Sequence, residues 1–334
     1  MNLPDRQGQQ SGPDGLIDAW LLDGAGGGRK LDWDDLARCE PRGREWLWVH
    51  LDHSTPAVHQ WMLGASGLSG ITAEALMQGE TRPRCVPVDE GLMIFLRGVN
   101  LNPGADPEDM VSIRMWIGER RVISLRKRRL LSVDDIREAI ARGEGPETPG
   151  GFLVMIVDFL LGRAGGVIDD LYDQVDELED AVLVQTDYRQ RELLAGIRRQ
   201  AIALRRFLAP QREALNRLSS ERTPVLTGEH QLYLRENSDR LMRMVEDLDA
   251  ARERAAVTHE SLVSRLAEQT NQRMYILSIV AAIFLPLSFV TGLLGVNVGG
   301  IPGADNPLGF AAVVAMMLLI AGGLWVFFRW RRWF

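Results

Sequence analysis

Residues 274–294 read MYILSIVAAIFLPLSFVTGLL, and no charged side chain interrupts these 21 positions. An α-helix rises about 1.5 Å per residue, so about 20 apolar residues cross the hydrocarbon core of a bilayer. The stretch 308–328, LGFAAVVAMMLLIAGGLWVFF, matches the first in length and apolarity. Runs this long and this uniformly apolar predict two transmembrane helices, and they decide the class of the fold. Pro286, inside the first, is tolerated in lipid, where neighbouring groups take up the freed carbonyl, and predicts a modest kink.

The two spans are joined by GVNVGGIPGADNP (295–307), a glycine-rich loop whose one charge is Asp305. Arg265 and Arg273 precede the first span, and Arg329, Arg331 and Arg332 follow the second. Basic residues stay on the cytoplasmic side, so both termini are expected there, with the loop outside. Trp325 and Trp330 suit the inner interface. The N-terminal MNLPDRQGQQSGPDG lacks the apolar segment of a signal peptide and reads as a disordered lead over 1–15.

Upstream, the 334-residue chain is soluble in character, with 25% charged residues and a net charge of −7. That balance argues against nucleic acid as a partner, which would require a basic face. The two cysteines, Cys39 and Cys85, have no CxxC spacing, which excludes a disulfide framework or a cysteine-rich zinc site. His50 and His53 lie close together in VHLDHST, where a strand end with polar caps is the simpler reading than a metal site.

The expected fold is α+β. Residues 16–165 predict a cytoplasmic α/β domain, with strands at 45–52, 92–100, 111–119 and 121–128. Helices are predicted at 55–65, 72–78 and 132–143, the last with Ser132 as N-cap and Gly143 as stop. GFLVMIVDFLLGR (151–163) is too short to span and predicts a buried helix. A long helical bundle with a stalk helix follows over 166–273. Its first helix spaces Ile168, Leu171, Val175, Leu178 and Val182 by three and four, opposite an acidic face from Asp169 to Asp180. That face reads as solvated, or as a surface that attracts cations. Its second helix is basic and holds Pro210. The stalk helix runs from Glu229 without Pro or Gly to Pro286. Its Leu241, Leu248, Ala255 and Leu262 recur every seven residues, a partial coiled-coil pattern expected to pack neighbouring copies. A basic tail, 329–334, closes the chain.

Two helices cannot enclose a path for a solute. A transport function would need several copies around an axis, with the first span lining the pore. Neither span contains Asp, Glu, Lys, Arg, His or Cys. Zinc without its water favours imidazole and thiolate ligands, which are missing here. Such a pore suits a cation that keeps its hydration shell, and magnesium sheds water most reluctantly. At the outer mouth, glycines permit sharp turns with exposed carbonyls, and Asn297 would form a neutral polar ring. An ordinary extracellular turn is the plainer reading of the loop.

Asn271, Met274, Leu277, Pro286, Gly292, Gly295 and Asn297 together spell N-x-x-M-x-x-L…P…G-x-x-G-x-N, with GVN directly after the first span. This resembles the GxN signature of CorA-type divalent-cation channels and transporters, and the likeness covers essentially the whole chain. Most members read GMN. Val296, the following VGGIPG and LRRFLAPQRE (204–213) resemble the ZntB branch, zinc transporters of the bacterial inner membrane. The resemblance implies a homopentamer with a funnel-shaped cytoplasmic domain and no prosthetic group. It implies Gly295, Val296 and Asn297 as the outer selectivity loop, with Asn297 meeting the hydrated metal in the periplasm. It implies Met274, Leu277 and Leu285 as apolar pore constrictions, and Asn271 and Ser278 as polar pore positions. Glu236, in YLREN, stands where magnesium-gated members carry an intersubunit metal carboxylate; a surface helix residue is the simpler reading.

The branch implies zinc as the transported ion, with magnesium, cobalt, cadmium and nickel as other divalent cations. It also implies proton coupling, for which neither span offers a titratable relay. The span chemistry agrees with zinc only if zinc passes hydrated or is captured by cytoplasmic or loop groups. A magnesium or cobalt channel is the alternative within the class, and a membrane-anchored sensor or scaffold the alternative outside it. No Walker loop, HExxH, nucleophile elbow or dinucleotide fingerprint points to an enzyme.

Overall fold

The computed structural model describes residues 14–79, 82–296 and 307–330. It forms two compact units, Met1–His259 and Glu260–Phe334. Most of the expected N-terminal lead, the loop from Asn297 to Asn306 and most of the basic tail lie outside the described residues.

The first unit is built on a seven-stranded sheet: β1 (Leu16–Leu22), β2 (Gly28–Lys30), β3 (Trp46–Asp52), β4 (Arg84–Val88), β5 (Gly91–Gly98), β6 (Val111–Ile117) and β7 (Arg121–Arg126). The spatial order is β2-β1-β3-β7-β6-β5-β4. Every neighbouring pair is antiparallel except the central β3 and β7, which run parallel with Leu47 opposite Arg121 and Leu51 opposite Leu125. The four strands predicted from patterning are β3, β5, β6 and β7. The structure adds β1, β2 and β4, together with a short helix α1 (Trp33–Arg38).

Helices cover both faces of the sheet. One face packs Leu47, Val49, Leu51, Ile123, Leu125 and Phe95 against α1, α2 (Pro56–Gly64) and α3 (Gly70–Met77). On the other face, Trp46 and Trp48 of β3 meet Phe152 with ring centroids 6.2 and 5.1 Å apart. Burial on both sides explains why β3 is a continuous apolar run around His50 rather than an alternating one.

Helix α4 (Leu131–Ala141) departs from the expected cap. Its N-cap is Leu130, and Ser132 lies buried inside the first turn. Asp134 supplies the first-turn charge and pairs with Arg129 at 2.8 Å and Arg137 at 3.2 Å. Gly143 stops the helix at φ +76°, a left-handed conformation that suits glycine.

Three long helices follow. Helix α5 (Pro149–Val184) is one element of 36 residues that runs through Gly165 and Gly166, where patterning sets a domain boundary. Thr148 caps it by accepting from Gly151 N at 3.0 Å, and Pro149 occupies its first turn. Its apolar first half lies in the core through Phe152, Leu153, Ile156, Val157, Leu160 and Leu161. Helix α6 (Tyr188–Ser220) opens with a capping box of Asp187 and Gln190. Helix α7 spans Gly228–Leu294.

Charge pairs fix how α5, α6 and α7 lie in the first unit. Asp158 of α5 meets Arg240 of α7 at 3.3 Å; further along, Asp176 and Glu179 both meet Arg254. The two helices therefore run in the same direction. Arg205 of α6 meets Asp249 at 2.7 Å, and Asn216 accepts from Ser238 at 2.7 Å, so α6 runs the opposite way. The seven-residue pattern fills this seam. Leu241, Leu248 and Ala255 are fully buried within their own chain. This corrects the expectation that they pack against neighbouring copies: the period matches any long helical seam, intramolecular or not.

In the second unit, the remainder of α7 precedes α8 (Gly309–Trp330). Both helices are long and apolar enough to cross a membrane, and almost none of their apolar length is buried. Helix α5 passes the same length and composition test, but half of its apolar stretch is buried in the first unit.

Candidate functional site

The described membrane-length part of α7 has two unlike faces. Ile279 is buried, and Ile283, Leu287, Val290 and Leu294 are half-buried. On α8 the matching half-buried positions are Val313, Met317, Ile320 and Leu324, ending at buried Phe328. Steps of three and four put each set on one stripe, the seam of a helix pair.

On a helix of about 3.6 residues per turn, Asn271, Met274, Ser278, Ala281, Leu285, Ser288 and Gly292 form the opposite stripe of α7. All seven are exposed in the single chain. Met274, Leu277 and Leu285 are 62%, 69% and 69% exposed, far more than a packed interior would leave. Leu277 flanks the stripe. The five positions named as pore-lining thus share one side of one helix. Ala281, Ser288 and Gly292 share it too and were not among them; the alternation of three and four was the available signal.

The hydroxyls on this helix have a particular arrangement. Ser278 Oγ donates to the Met274 carbonyl at 2.8 Å. Thr291 Oγ1 donates to the carbonyls of Leu287 and Ser288 at 3.1 and 3.0 Å. With their hydrogens committed to the helix, these oxygens face outward as acceptors. Pro286 lacks an N–H and so leaves the Ala282 carbonyl, one turn earlier, without its helical donor. Acceptors without charge are what the outward-pointing hydrogens of a metal-bound water can use.

The helix ends where the signature begins. Gly295 N donates to the Thr291 carbonyl at 2.9 Å. A Cβ on Gly295 would lie 2.9 Å from that same oxygen, whereas one on Gly292 would meet nothing within 4 Å. Val296 is half exposed, and Asn297 lies outside the described residues.

Glu236 belongs to the first unit, on an early turn of α7. Its carboxylate is 75% exposed and 3.9 Å from Arg243. It borders a groove of about 1040 Å³ with His230, Tyr233 and Asp158. Among the described residues, no group of three His, Cys, Asp or Glu side chains gathers closely enough to hold a metal. His50 and His53 lie in different surroundings. His50 Nδ1 bonds Ser124 Oγ at 2.8 Å, and burial with nearby Arg126 and Arg137 holds the ring well below its ordinary pKa. Burial and Arg114 push His53 down to about 4.

The sequence model of a family described as CorA-like Mg2+ transporter protein matches residues 43–332. The chain belongs to the CorA-like family. Among its relatives, the divalent cation transporter CmaX of Pseudomonas aeruginosa is 41% identical over 332 residues, covering 98% of this chain and 99% of that one. The zinc transport protein ZntB of Pectobacterium atrosepticum is 36% identical over 319 residues, covering 96% of both. The solved structure of full-length CmaX superposes with a TM-score of 0.83 at 40% identity, over 96% of this chain and 98% of that one. The CorA-like fold thus extends through the α/β domain, the long helices and the apolar C-terminal pair, as the α+β expectation had it.

Proposed function

We propose that this chain conducts hydrated divalent cations, zinc among them, across the bacterial inner membrane along an axial pore between copies of itself. The observation that carries this reading is the exposed stripe of α7 from Asn271 to Gly292, opposite the seam with α8. A stripe of serines, small residues and apolar constrictions without charge suits the inner wall of a closed ring. A homopentamer with both termini in the cytoplasm is the assembly proposed.

The mechanism follows from what the stripe offers. The ion keeps its water, because nothing on the described stripe can replace it. Ser278 and Asn271 accept hydrogen bonds from the hydration shell and release it again. Met274, Leu277 and Leu285 narrow the path, and rings of such side chains close it by excluding water. Gly295, Val296 and Asn297 form the outer selectivity site in the periplasm, where asparagine amides receive the hydrated ion. Glu236 has no part in this path; as a metal carboxylate it would act between copies. Zinc is favoured by Val296 and by the likeness to ZntB of Pectobacterium atrosepticum. Magnesium or cobalt is the second reading, favoured by the stripe's lack of imidazole and thiolate.

The test is metal flux into proteoliposomes holding the full chain, comparing zinc, magnesium and cobalt with and without a pH gradient. Zinc flux that collapses in Asn297→Ala, with the oligomer intact, is the expected result. Magnesium flux without zinc flux would transfer the proposal to the second reading. An intact oligomer that moves no metal would end both.

A further inference from the structure

Helix α7 opens with a histidine in its cap. Gln231 N donates to the Thr227 carbonyl at 3.0 Å, which makes Thr227 the N-cap and His230 the third helical residue. His230 N donates to Thr227 Oγ1 at 3.3 Å, and Thr227 N donates to His230 Nδ1 at 3.3 Å. This is the reciprocal pairing of a capping box, whose third helical residue is ordinarily glutamate or glutamine. An imidazole can take that place only while Nδ1 keeps its lone pair, so the ring proton sits on Nε2.

The same ring touches a second helix. It lies against the first turn of α5, where a Cβ on Gly150 would fall 2.7 Å from Cε1 and one on Gly151 would fall 3.9 Å from Nε2. Only glycine at 150 admits the imidazole this closely. The ring therefore stands at the N-terminal ends of two helices, whose dipoles both oppose a positive charge. The groove it shares with Tyr233 carries Glu147, Asp158, Glu229, Glu236 and Arg240. A smaller groove on its other side carries Arg44, Glu45, Glu119 and Arg120, the last held by the carbonyls of Gly43 and Glu45. Burial lowers the pKa of His230 from 6.5, against the pull of adjacent Glu229. Protonation would turn Nδ1 from an acceptor into a donor and set it against the Thr227 N–H that it now receives.

We propose that His230 is an acid-sensitive latch, which ties the first turn of α7 to the first turn of α5 when neutral and releases it when protonated. The folded ring takes its proton less readily than an unfolded one. The latch is therefore closed above pH 6.5 and opens as the pH falls below that value. It does not depend on what the pore conducts.

Hydrogen exchange by mass spectrometry on the full-length protein in detergent, between about pH 8 and 5, tests the latch. Protection is taken relative to the unstructured-chain rate at each pH. Peptides covering 226–235 should lose about fivefold in protection over that range, while peptides covering 196–206 of α6 keep theirs. His230→Gln retains the acceptor and cannot titrate, so its protection should not change with pH. His230→Ala should be as weakly protected at about pH 8 as the wild type is at about pH 5. Constant protection in the wild type would overturn the proposal without any variant. So would a loss that His230→Gln shares, which would belong to another group, or one that α6 shares, which would be global unfolding.

Discussion

Gly292 and Gly295 sit three residues apart, yet the chain needs them for different reasons. Gly295→Ala would press a Cβ onto the Thr291 carbonyl, costing about 1 kcal/mol at the helix end. Gly292→Ala meets nothing in the single chain. It should leave the unfolding midpoint unchanged but reduce flux if its stripe lines a pore; unchanged flux would place Gly292 elsewhere. His53 gives a second residue-scale prediction. Its folded pKa, about 4, lies below the ordinary 6.5, so the unfolded chain binds the proton first. Stability is complete above pH 6.5 and declines as pH falls towards about 4. Unfolding midpoints between pH 7.5 and 5 should fall with acidity, and His53→Gln should flatten that slope. A slope as steep in the variant would assign the effect to other groups, buried His50 first among them.

Helices and strands differ in how openly they announce themselves. The two membrane helices were legible because nothing in water requires 21 uncharged positions in a row. β3, β5, β6 and β7 were legible as apolar runs. β1 was not, because Asp18 interrupts LIDAWLL; that carboxylate is buried only because Lys30 and Arg137 reach it at 3.0 and 2.9 Å. β4 was hidden by Pro87, which an edge strand tolerates. The boundary expected between residues 165 and 166 falls inside α5, which continues through Gly162, Gly165 and Gly166, since packing of its flanks overrides their poor propensity. The signature GVN was legible as a motif, but the direction of its stripe required the burial of the facing side. The α7 seam carries its own prediction: Leu248→Ala should cost about 2–5 kcal/mol. That loss should appear as a lower unfolding midpoint in the isolated first unit as well as in the full chain. A loss confined to the assembled oligomer would restore the intermolecular reading of the seven-residue pattern.

Across the whole molecule, charge and apolarity are kept apart. The negative charge of the chain lies in the first unit, with Asp169, Asp170, Asp173, Glu177 and Asp180 exposed along α5, while basic residues outnumber acidic ones in the second. A surface of this sign raises the local concentration of cations and does so less in high salt. The paired central strands have a consequence of another kind. β7 fills the slot between β3 and β6, yet it is synthesised after both and 74 positions after its parallel partner. A nascent chain that ends before residue 121 therefore carries two open edges in the middle of its future sheet. Each is a template for pairing with another unfinished chain. The sheet closes from its centre last, and β7 is the segment whose timely arrival separates folding from aggregation.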